Sequence, residues 1–217
     1  MPFEKQRLFD LIIATPLLVF SLPLFALIAL LVHLSSPGPV FFRQFRLGRG
    51  GQLFRIFKFR TMFNSSGDGT AITIAGDSRI TPFGKILRRT KLDELPQLLN
   101  VLCGEMSLVG PRPEVPAYRH VYQNGFEKVL QVRPGITDPA SLTLIDEEQF
   151  LREFPDPLTA YEEIVLPRKL MLSLDYLQQR RLRDDLRIIF LTILFALGVR
   201  LSHSSEFIER ARTASQR

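Results

Sequence analysis

The sequence is poor in the residues that form disulfides and metal cages. It has one cysteine, three histidines and no tryptophan among 217 residues. The single Cys103 excludes an internal disulfide and a cysteine-based metal site, and its apolar helical surroundings predict a packed core thiol. The histidines are too scattered along the chain to suggest a metal site. These absences fit a reducing compartment and leave carboxylates and basic side chains as the candidate chemical groups.

Positive charge exceeds negative charge in the sequence. Lys and Arg number 28 against 22 Asp and Glu, which gives a net charge of +6. This balance suits nucleic acid, an anionic membrane surface or phosphorylated substrates, and it does not choose among them. A glycine-rich phosphate loop of the P-loop or dinucleotide type is absent from the sequence. The length fits one ordinary domain with its own core.

A long hydrophobic run lies near the N-terminus. Nearly every residue in 11–32 is apolar, and Asp10 is the only charged residue in 8–34. The run meets the length of about 20 apolar residues needed to cross a bilayer. A cleaved signal peptide is disfavoured because the run is too long and because basic sequence follows it. The sequence therefore predicts attachment to a membrane.

Two features of this run bear on its topology. Pro16 and Pro23 lie inside it, and each proline removes a backbone donor and bends a helix, while Ser21 can supply a compensating hydrogen bond. Basic residues flank both ends, which favours placing both ends on the cytoplasmic side. Two interpretations stay open: a re-entrant helix that breaks near Pro23, and a kinked single-pass anchor. The basic flanking residues are Lys5, Arg7, Arg43, Arg46, Arg49, Arg55, Lys58 and Arg60.

The remaining sequence predicts a small β-hairpin followed by helices. Segments 40–48 and 52–63 alternate apolar and basic residues around a glycine-rich turn, which is typical of a hairpin. The polar, glycine-rich segment 64–80 indicates a loop. Thr81 followed by Pro82 opens a helix, because threonine caps helices and proline is favoured at the first position. Helical patterns cover 85–103 (interrupted at Pro96), 117–131, 158–181 and 184–200.

The last helical segment has an apolar stretch over 188–199. Twelve residues are too few to span a bilayer comfortably, so we predict a helix lying in the membrane interface. Burial in the protein core is the nearly equal alternative. Flanking arginines would contact lipid headgroups: Arg180, Arg181, Arg183, Arg187 and Arg200.

Asp93 and Glu94 form the candidate catalytic pair. Proline disfavours α geometry in the residue before it, so a helix should begin near Pro96, with the two acids at or just before its first turn. The positive helix end and nearby basic residues should keep both carboxylates ionised. Adjacent carboxylates among cations suit Mg²⁺-assisted phosphoryl transfer, in which one attacks phosphorus or holds the metal. Ordinary helix capping is the alternative on this stretch alone.

Several basic residues are candidates for binding phosphate. Arg112 lies between two prolines, which would fix the direction of its guanidinium, and Arg133 has a similar setting before Pro-Gly. Lys58 and Arg60 lie on one face of the second predicted strand, and Arg88 lies close to the acidic pair. Rigid turns and solvated charges are the alternatives for these residues.

The motifs together resemble a known family. The strings SPGPVFFRQFRLGRGG, FRIFKFRTM, DSRITPFGKILRRTKLDELPQLLNVLCGEMSLVGPRP and VRPGIT resemble the bacterial sugar transferases, the monotopic polyprenyl-phosphate phosphoglycosyl transferases. The resemblance runs from about Lys5 to Thr137, and DLRIIFLTI resembles the closing helix of the family. The combination of LDELPQLLNVL with MSLVGPRP is highly specific.

The resemblance implies a mechanism. Asp93 would attack the β-phosphate of a UDP-sugar, release UMP and form an aspartyl phospho-sugar, which polyprenyl (undecaprenyl) phosphate would take in a second step. Mg²⁺ would bridge Asp93 and the diphosphate, with Glu94 assisting in metal or proton handling. Arg112 would lie on the nucleotide side, and Lys58 and Arg88 would meet phosphates.

The resemblance also implies a topology and shows two departures. The family's N-terminal helix is re-entrant and breaks at a Ser-Pro pair, whereas Leu22 separates Ser21 from Pro23 here. Many members continue the Pro-Gly-Ile-Thr motif with Gly-Trp-Ala-Gln, where this chain has residues 138–141 (Asp-Pro-Ala-Ser). The chain also resembles a minimal catalytic form without the extra N-terminal helices of larger members.

We therefore predict an α+β, mostly helical, monotopic membrane protein. Residues 1–36 would form the re-entrant membrane helix, and residues 37–217 a cytoplasmic catalytic domain with a β-hairpin and interfacial amphipathic helices. The expected location is the cytoplasmic face of the inner membrane. The expected partners are a UDP-sugar, undecaprenyl phosphate and phospholipid, and the product would initiate surface polysaccharide or glycoconjugate synthesis.

Two other function classes are alternatives for this sequence. A membrane-anchored adaptor that binds anionic lipid would need neither turnover nor Mg²⁺. Nucleic-acid binding rests on net charge alone, so no nucleic-acid partner is expected. The sequence does not name the sugar and leaves the oligomeric state open, a homodimer being one option.

Overall fold

The computed structural model describes residues 3–63, 73, 76–143 and 147–199. Its architecture is mostly helical with two small sheets, which confirms the predicted fold class at that level. Most of the predicted loop 64–80, and Arg200 of the predicted headgroup anchors, lie outside the described residues. The α-helices are α1 (Phe3–Ser35), α2 (Pro82–Arg89), α3 (Gln97–Cys103), α4 (Arg119–Tyr122), α5 (Pro139–Thr143), α6 (Glu147–Leu151), α7 (Pro157–Ala160), α8 (Leu166–Gln179) and α9 (Leu182–Ala196). The strands are β1 (Phe41–Leu47), β2 (Leu53–Phe59), β3 (Ser107–Val109) and β4 (Gly135–Thr137).

Helix α1 packs against the rest of the protein along one stripe. Its buried residues recur at the three- and four-residue spacing of a single helix face. Asp10 and Ala14 in the first half, and Ile28 and Val32 in the second, belong to this stripe. The first half contacts the core around α3, β3 and α9, while the second contacts Phe59 of β2 and Leu87 of α2.

The predicted division of this segment into two helices is wrong for the described structure, because α1 is one helix from Phe3 to Ser35 with Pro16 and Pro23 inside it. A proline removes one helical hydrogen bond and can bend a helix without interrupting it. The Ser21 hydroxyl donates to the Leu18 carbonyl at 2.9 Å, so it does not reach the Val19 carbonyl that loses its donor at Pro23. Docking of both halves along one stripe keeps the helix continuous.

The opposite side of α1 is apolar and exposed. Phe20 is 83% exposed, and leucine, isoleucine and valine side chains extend this surface along the helix. The helix is long and apolar enough to cross a membrane. A continuous apolar surface of this kind is unfavourable in water and suggests association with a membrane. Its other members include Leu8, Ile12, Val19, Leu22, Leu27, Leu30 and Leu34.

Polar contacts tie both ends of α1 to the globular part. Near the start, Asp10 accepts hydrogen bonds from the Ser107 hydroxyl at 2.9 Å and the Leu108 backbone N–H at 3.0 Å. At the other end, the buried Arg60 guanidinium donates to the Ser36 carbonyl at 2.5 Å and the Val32 carbonyl at 3.3 Å. Arg60 therefore caps the last carbonyls of the helix, where a cation also complements the helix dipole.

The predicted β-hairpin is confirmed. Strands β1 and β2 are antiparallel, with Phe41 opposite Phe59 and Leu47 opposite Leu53. One face buries Phe54 and Ile56 in the core beside α3. On the other face, cross-strand pairs place arginine guanidinium groups about 5 Å from phenylalanine ring centres, a favourable cation–π arrangement. These pairs are Arg43 over Phe57 and Arg55 over Phe45.

The helix boundaries around the acidic pair agree with the prediction. Thr81 caps α2 by accepting from the Gly84 N–H at 2.9 Å, and α3 begins directly after Pro96. Asn100 of α3 fixes this helix to β2, because its side chain bonds the Phe57 N–H at 3.0 Å and the Arg55 carbonyl at 2.8 Å. The predicted core packing of Cys103 is wrong: the thiol is exposed at the last turn of α3.

The sequence did not predict the short parallel sheet of β3 and β4. It pairs Ser107 with Gly135 and Val109 with Thr137. The strands approach so closely at one point that a Cβ atom on Gly135 would lie 2.1 Å from the Gly110 backbone nitrogen. Each strand has only three residues in proline- and glycine-rich sequence, so neither shows a period-2 pattern.

The C-terminal helices complete the core. Buried residues of α8 pack with those of α4 and α7 in one cluster, while Ile188 of α9 joins the cluster beneath β3. The other side of α9 exposes large apolar residues such as Phe190 and Ile193. One side of α9 is therefore packed in the core and the other side is exposed. The sequence left open a position in the membrane interface and burial in the core, and full burial in the core is excluded. Arg180 contacts the interior instead of headgroups: it pairs with buried Asp185 at 3.0 Å.

Replacing Gly135 by alanine should separate β3 from β4, because the added methyl group would overlap the backbone of Gly110. We expect a loss of about 3 kcal/mol or more in the free energy of unfolding, as for an overpacked site. Gly50→Ala is the matched control, since Gly50 has a φ of 66° and no atom of the described part of the chain lies within 4 Å of the new methyl group. Its cost should be about 1 kcal/mol. Denaturant unfolding of both variants measures the difference, and equal costs would contradict the packing argument.

Candidate active site

A strained residue introduces the turn that carries Asp93 and Glu94. Lys91 has a φ of 56° and is the non-glycine residue with positive φ among the described residues. This left-handed conformation costs about 1–2 kcal/mol for a residue with a Cβ atom, and such strain is concentrated at functional sites. It ends α2 and reverses the chain into a 3₁₀ turn over Leu92–Glu94. Both carboxylates thereby point into the protein, where Asp93 is 5% and Glu94 is 6% exposed.

Glu94 is held by two cations. Lys58 of β2 donates to its Oε1 at 2.9 Å, and Arg112 donates to Oε1 at 2.5 Å and to Oε2 at 3.3 Å. Burial alone opposes the charge on Glu94, but Arg112, Lys58 and Lys91 together outweigh it, so the pKa of Glu94 lies well below its usual range. The same pairing raises the pKa of Arg112. Glu94 is therefore an ionised anchor for two basic side chains.

Asp93 has a different environment although it is the next residue. Its Oδ1 is buried without a hydrogen-bond partner among the described residues. Burial raises the pKa of Asp93, the charge of Glu94 adds to this, and Lys58, Lys91 and Arg88 act in the opposite direction. The sequence predicted that nearby cations would favour ionisation of both carboxylates. The two carboxylates differ in the structure: the cations outweigh burial at Glu94, whereas burial outweighs them at Asp93 and raises its pKa above the usual range of an aspartate.

The residues that contact Glu94 come from rigid parts of the fold. Lys58 lies near the end of β2, and Arg112 follows β3 in the predicted proline-flanked loop. The Arg112 backbone N–H donates to buried Asp138 at 3.3 Å, and Asp138 also caps α5 by accepting from the Ser141 N–H at 2.7 Å. Asp138 is one of the residues that depart from the common family motif, and it supports the loop that carries Arg112.

The structure does not bring all the predicted phosphate ligands together. Arg88 of α2 is close enough to influence Asp93 and pairs with Glu148 of α6. Arg60 binds the C-terminal carbonyls of α1 instead of facing the acidic pair. Arg133 donates to the Gly104 carbonyl at 2.8 Å, beyond the far end of α3 from Asp93. Lys58, Arg88 and Arg112 therefore remain as the basic residues of this site.

Sequence reasoning missed Arg46 as part of the site. It is partly buried on β1, donates to the Pro113 carbonyl at 3.2 Å and lies 4.0 Å from Glu114. Its charge acts on Arg112 and Glu94, so it adds to the positive environment. Arg46 lies opposite Phe54 in the hairpin and therefore on the same face as Lys58. This placement could have identified Arg46 as a residue of the candidate site.

The acidic pair could hold Mg²⁺ only with help from a substrate. Among the described residues, no three His, Cys, Asp or Glu side chains are grouped as a metal cage. Mg²⁺ is often bound by one or two carboxylates together with substrate phosphates, which does not require such a cage. The unpartnered Oδ1 of Asp93 fits this role, whereas both oxygens of Glu94 already accept hydrogen bonds. The residues thus fit a metal that Asp93 would share with a diphosphate.

Comparison with known proteins identifies relatives across most of the chain. A UDP-glucose:undecaprenyl-phosphate glucose-1-phosphate transferase of Xanthomonas campestris pv. campestris is 42% identical over 203 residues, covering 91% of this chain and 40% of the relative. A protein of the same name from Caulobacter vibrioides is 38% identical over 193 residues, covering 87% of this chain and 68% of the relative. An Aeromonas hydrophila UDP-N-acetylgalactosamine-undecaprenyl-phosphate N-acetylgalactosaminephosphotransferase is 44% identical over 151 residues, covering 63% of this chain and 35% of the relative.

The chain thus spans about two fifths of the Xanthomonas relative and about two thirds of the Caulobacter one. A family model described as bacterial sugar transferase matches residues 3–198, which include α1, the hairpin, the acidic pair and α9. This chain belongs to the bacterial sugar transferase family.

Proposed function

We propose that this protein transfers a sugar 1-phosphate from a UDP-sugar to undecaprenyl phosphate and releases UMP. The observation that carries the proposal is the contrast within the acidic pair. Glu94 is paired with two cations, while neighbouring Asp93 keeps a buried oxygen that has no hydrogen-bond partner among the residues that the structure describes. A carboxylate oxygen of this kind is available to a metal or to phosphorus. The names of relatives that cover most of this chain support the donor and acceptor classes.

Asp93 acts as the nucleophile in the first step. One of its carboxylate oxygens forms a bond to the sugar-linked phosphorus of the donor, and the bond from that phosphorus to the bridging oxygen breaks. UMP leaves with the bridging oxygen. Burial raises the pKa of Asp93 and removes water from the carboxylate, which makes the ionised form a stronger nucleophile than a solvated one.

The second step regenerates the enzyme. An oxygen of undecaprenyl phosphate attacks the same phosphorus, the acyl-phosphate bond to Asp93 breaks, and a sugar diphosphate lipid leaves. Because UMP departs before the acceptor reacts, the kinetics are ping-pong.

The basic residues of the site hold the phosphates during both steps. Arg112 can offer donors at fixed positions, because its guanidinium is bidentate on Glu94 and its loop is held by Asp138. Lys58, Arg88 and Arg46 add positive charge around the reacting phosphorus. A bound Mg²⁺, held by Asp93 with the diphosphate, would neutralise developing charge on the leaving group. Glu94 orients Arg112 and Lys58 and is a positioning residue in this proposal.

The acceptor requires the site to lie at a membrane surface. The exposed sides of α1 and α9 carry the large apolar residues that can enter lipid, and the same helices pack on the core that supports the site. An undecaprenyl tail stays in the bilayer while its phosphate remains at headgroup level. We therefore place the enzyme on the cytoplasmic face of the inner membrane, where UDP-sugars are available.

The contacts of α1 support a topology that does not cross the bilayer. At about 1.5 Å per residue, a straight helix of this length would exceed the bilayer core of about 30 Å. Its two ends, however, are hydrogen-bonded to the same globular part, through Asp10 and through the carbonyls of Val32 and Ser36. A spanning helix would draw basic residues of β2 into lipid, which is costly. Both ends of α1 therefore lie on the cytoplasmic side, and the helix would enter the membrane through its exposed apolar side without crossing it.

Asp93→Asn and Glu94→Gln should affect stability in opposite directions. Asp93→Asn removes the proposed nucleophile, so it should abolish UMP release. It also removes a charge that burial disfavours, so it should raise the melting temperature at pH 7. Because burial raises the pKa of Asp93 in the folded state, protonation of Asp93 at low pH stabilises the wild-type protein relative to the variant. The gain in melting temperature from Asp93→Asn should therefore shrink as the pH falls. Glu94→Gln leaves Arg112 and Lys58 without their anion and should cost about 3 kcal/mol.

Calorimetry from pH 4 to pH 8 and a UMP-release assay with UDP-glucose and undecaprenyl phosphate measure both effects. Asp138→Asn serves as a matched control for charge loss beside Arg112, since it keeps the side-chain shape and should leave measurable turnover. Normal turnover by Asp93→Asn would remove Asp93 from the nucleophile role. Headgroup binding without turnover by the wild type would instead indicate a lipid-binding adaptor.

Cysteine labelling tests the topology of α1. Lys5 is exposed near the start of α1, so Lys5→Cys in a Cys103→Ser background provides one reactive thiol. We expect a membrane-impermeant maleimide to leave it unmodified in intact cells and to label it after permeabilisation. The wild-type protein is the control, because its exposed Cys103 lies in the globular part and reports the cytoplasmic side. Labelling of Lys5→Cys in intact cells would show that α1 crosses the membrane.

A further inference from the structure

Arg88 of the candidate site is held by a carboxylate from another element. Its guanidinium donates through Nη2 to Oε1 of Glu148 on α6, a residue 60 positions away in the chain. Within the described part of the chain, the Arg88 side chain makes no other hydrogen bond, so its Nε and Nη1 keep their N–H donors for a ligand. Arg88 also lies close enough to Asp93 for its charge to act on that carboxylate. The contact with Glu148 therefore orients a guanidinium near the proposed nucleophile and leaves donors for phosphate.

Helix α6, which carries Glu148, is anchored in the protein. Its last two residues are buried in a cluster with residues of α7 and α8. Its first residue, Glu147, pairs at 2.6 Å with Lys169 of α8, and Lys169 is only 8% exposed. Glu148 therefore extends from a fixed helix, and the position of its carboxylate can determine where the Arg88 guanidinium lies.

The arrangement repeats the one at Arg112. Glu94 binds Arg112 and Glu148 binds Arg88, so each of these two arginines has a carboxylate partner on another element. The pairs differ in burial, because the Glu94 side chain is 8% exposed whereas that of Glu148 is 45% exposed. An ion pair as exposed as the one between Glu148 and Arg88 contributes little to stability. Its effect is on the geometry of the arginine.

The geometry of an arginine matters for the affinity of its ligand. An arginine side chain without a partner occupies many rotamers, and ordering it opposes the binding of a phosphate. A carboxylate that holds the guanidinium in advance removes part of this entropy cost. We infer that Glu148 is a positioning residue that holds Arg88 ready to bind a phosphate of the UDP-sugar. The inference rests on the proposed function, since that function supplies the diphosphate ligand.

Binding of UDP-glucose in the presence of Mg²⁺ tests the inference without turnover. Calorimetry of the full-length enzyme in detergent, in an Asp93→Asn background, measures the dissociation constant. We expect Glu148→Gln to raise the dissociation constant about fivefold, which is the order of magnitude for ordering one long side chain. Glu163→Gln is the matched control, because it removes the same charge from an exposed position in the turn Tyr161–Val165 before α8. It should leave the dissociation constant unchanged.

A double-mutant cycle with Arg88→Gln separates positioning from a general effect of charge. If Glu148 acts through Arg88, Glu148→Gln should have no further effect on the dissociation constant once Arg88→Gln is present. A merely structural role would lower the melting temperature and leave the dissociation constant unchanged. We expect the opposite, because the pair is partly exposed and the melting temperature of Glu148→Gln should stay close to that of its parent.

A UMP-release assay of the same variants with Asp93 intact distinguishes failure of this inference from failure of the proposed function. Glu148-dependent binding of UDP-glucose without UMP release would support the positioning role and contradict the transfer reaction. UMP release with an unchanged dissociation constant in Glu148→Gln would do the reverse. Additive effects in the cycle, equal effects of Glu148→Gln and Glu163→Gln, or absence of UDP-glucose binding would also overturn the inference. Tighter binding by Glu148→Gln would overturn it as well, since Glu148 would then compete with phosphate for Arg88.

Discussion

The paired contacts of Glu94 with Arg112 and Lys58 are the interaction on which the candidate active site depends. They connect the turn after α2, the end of β2 and the loop after β3, which are far apart in sequence. A buried carboxylate is tolerated here because two cations compensate for its desolvation. Removing Glu94 would leave both cations without their anion, whereas removing either cation would leave the buried carboxylate with a single ion pair. The cluster therefore holds the basic residues in place around Asp93.

The same cluster explains how adjacent carboxylates can have different roles. Glu94 takes the two direct ion pairs, so Asp93 experiences the cations only at longer range while sharing the burial. Environments that move two carboxyl pKa values in opposite directions are a recurring way to divide chemical roles. In this site the division leaves Asp93 with a buried oxygen that accepts no hydrogen bond from the described residues, and our proposal assigns this oxygen to phosphorus or metal. The strained Lys91 contributes by turning both side chains inward.

Local chemistry predicted much of the fold. The Thr81 cap, the start of α3 after Pro96 and the hairpin each depend on residues close in sequence, and each is confirmed. Features that depend on distant partners were missed. The β3–β4 sheet is too short to show a pattern, and the roles of Arg60 and Arg180 follow from carbonyls and carboxylates elsewhere in the fold.

The candidate site also combines features that local sequence predicts with features that depend on distant residues. The acidic motif and the proline-flanked loop identified Asp93, Glu94 and Arg112 as candidate residues. The ion pair between Glu94 and Arg112 was not predicted, because the two residues lie 18 positions apart in sequence and meet only in the folded protein. The direction of the Asp93 pKa was also missed, since the cations are visible in sequence and the degree of burial is not. The continuity of α1 depends on the buried stripe along which it packs against the core. Its two prolines indicate a break instead, so the sequence did not predict one continuous helix.

The central claim is that Asp93 becomes covalently bonded to phosphorus during turnover. Rapid quenching of the enzyme with a UDP-sugar in the absence of undecaprenyl phosphate, followed by peptide mass spectrometry, tests it most directly. The account predicts that the peptide containing Asp93 gains the mass of a phospho-sugar and loses it when the acceptor is added. An unmodified Asp93 peptide in enzyme that has released one equivalent of UMP, or an adduct on another residue, would contradict it.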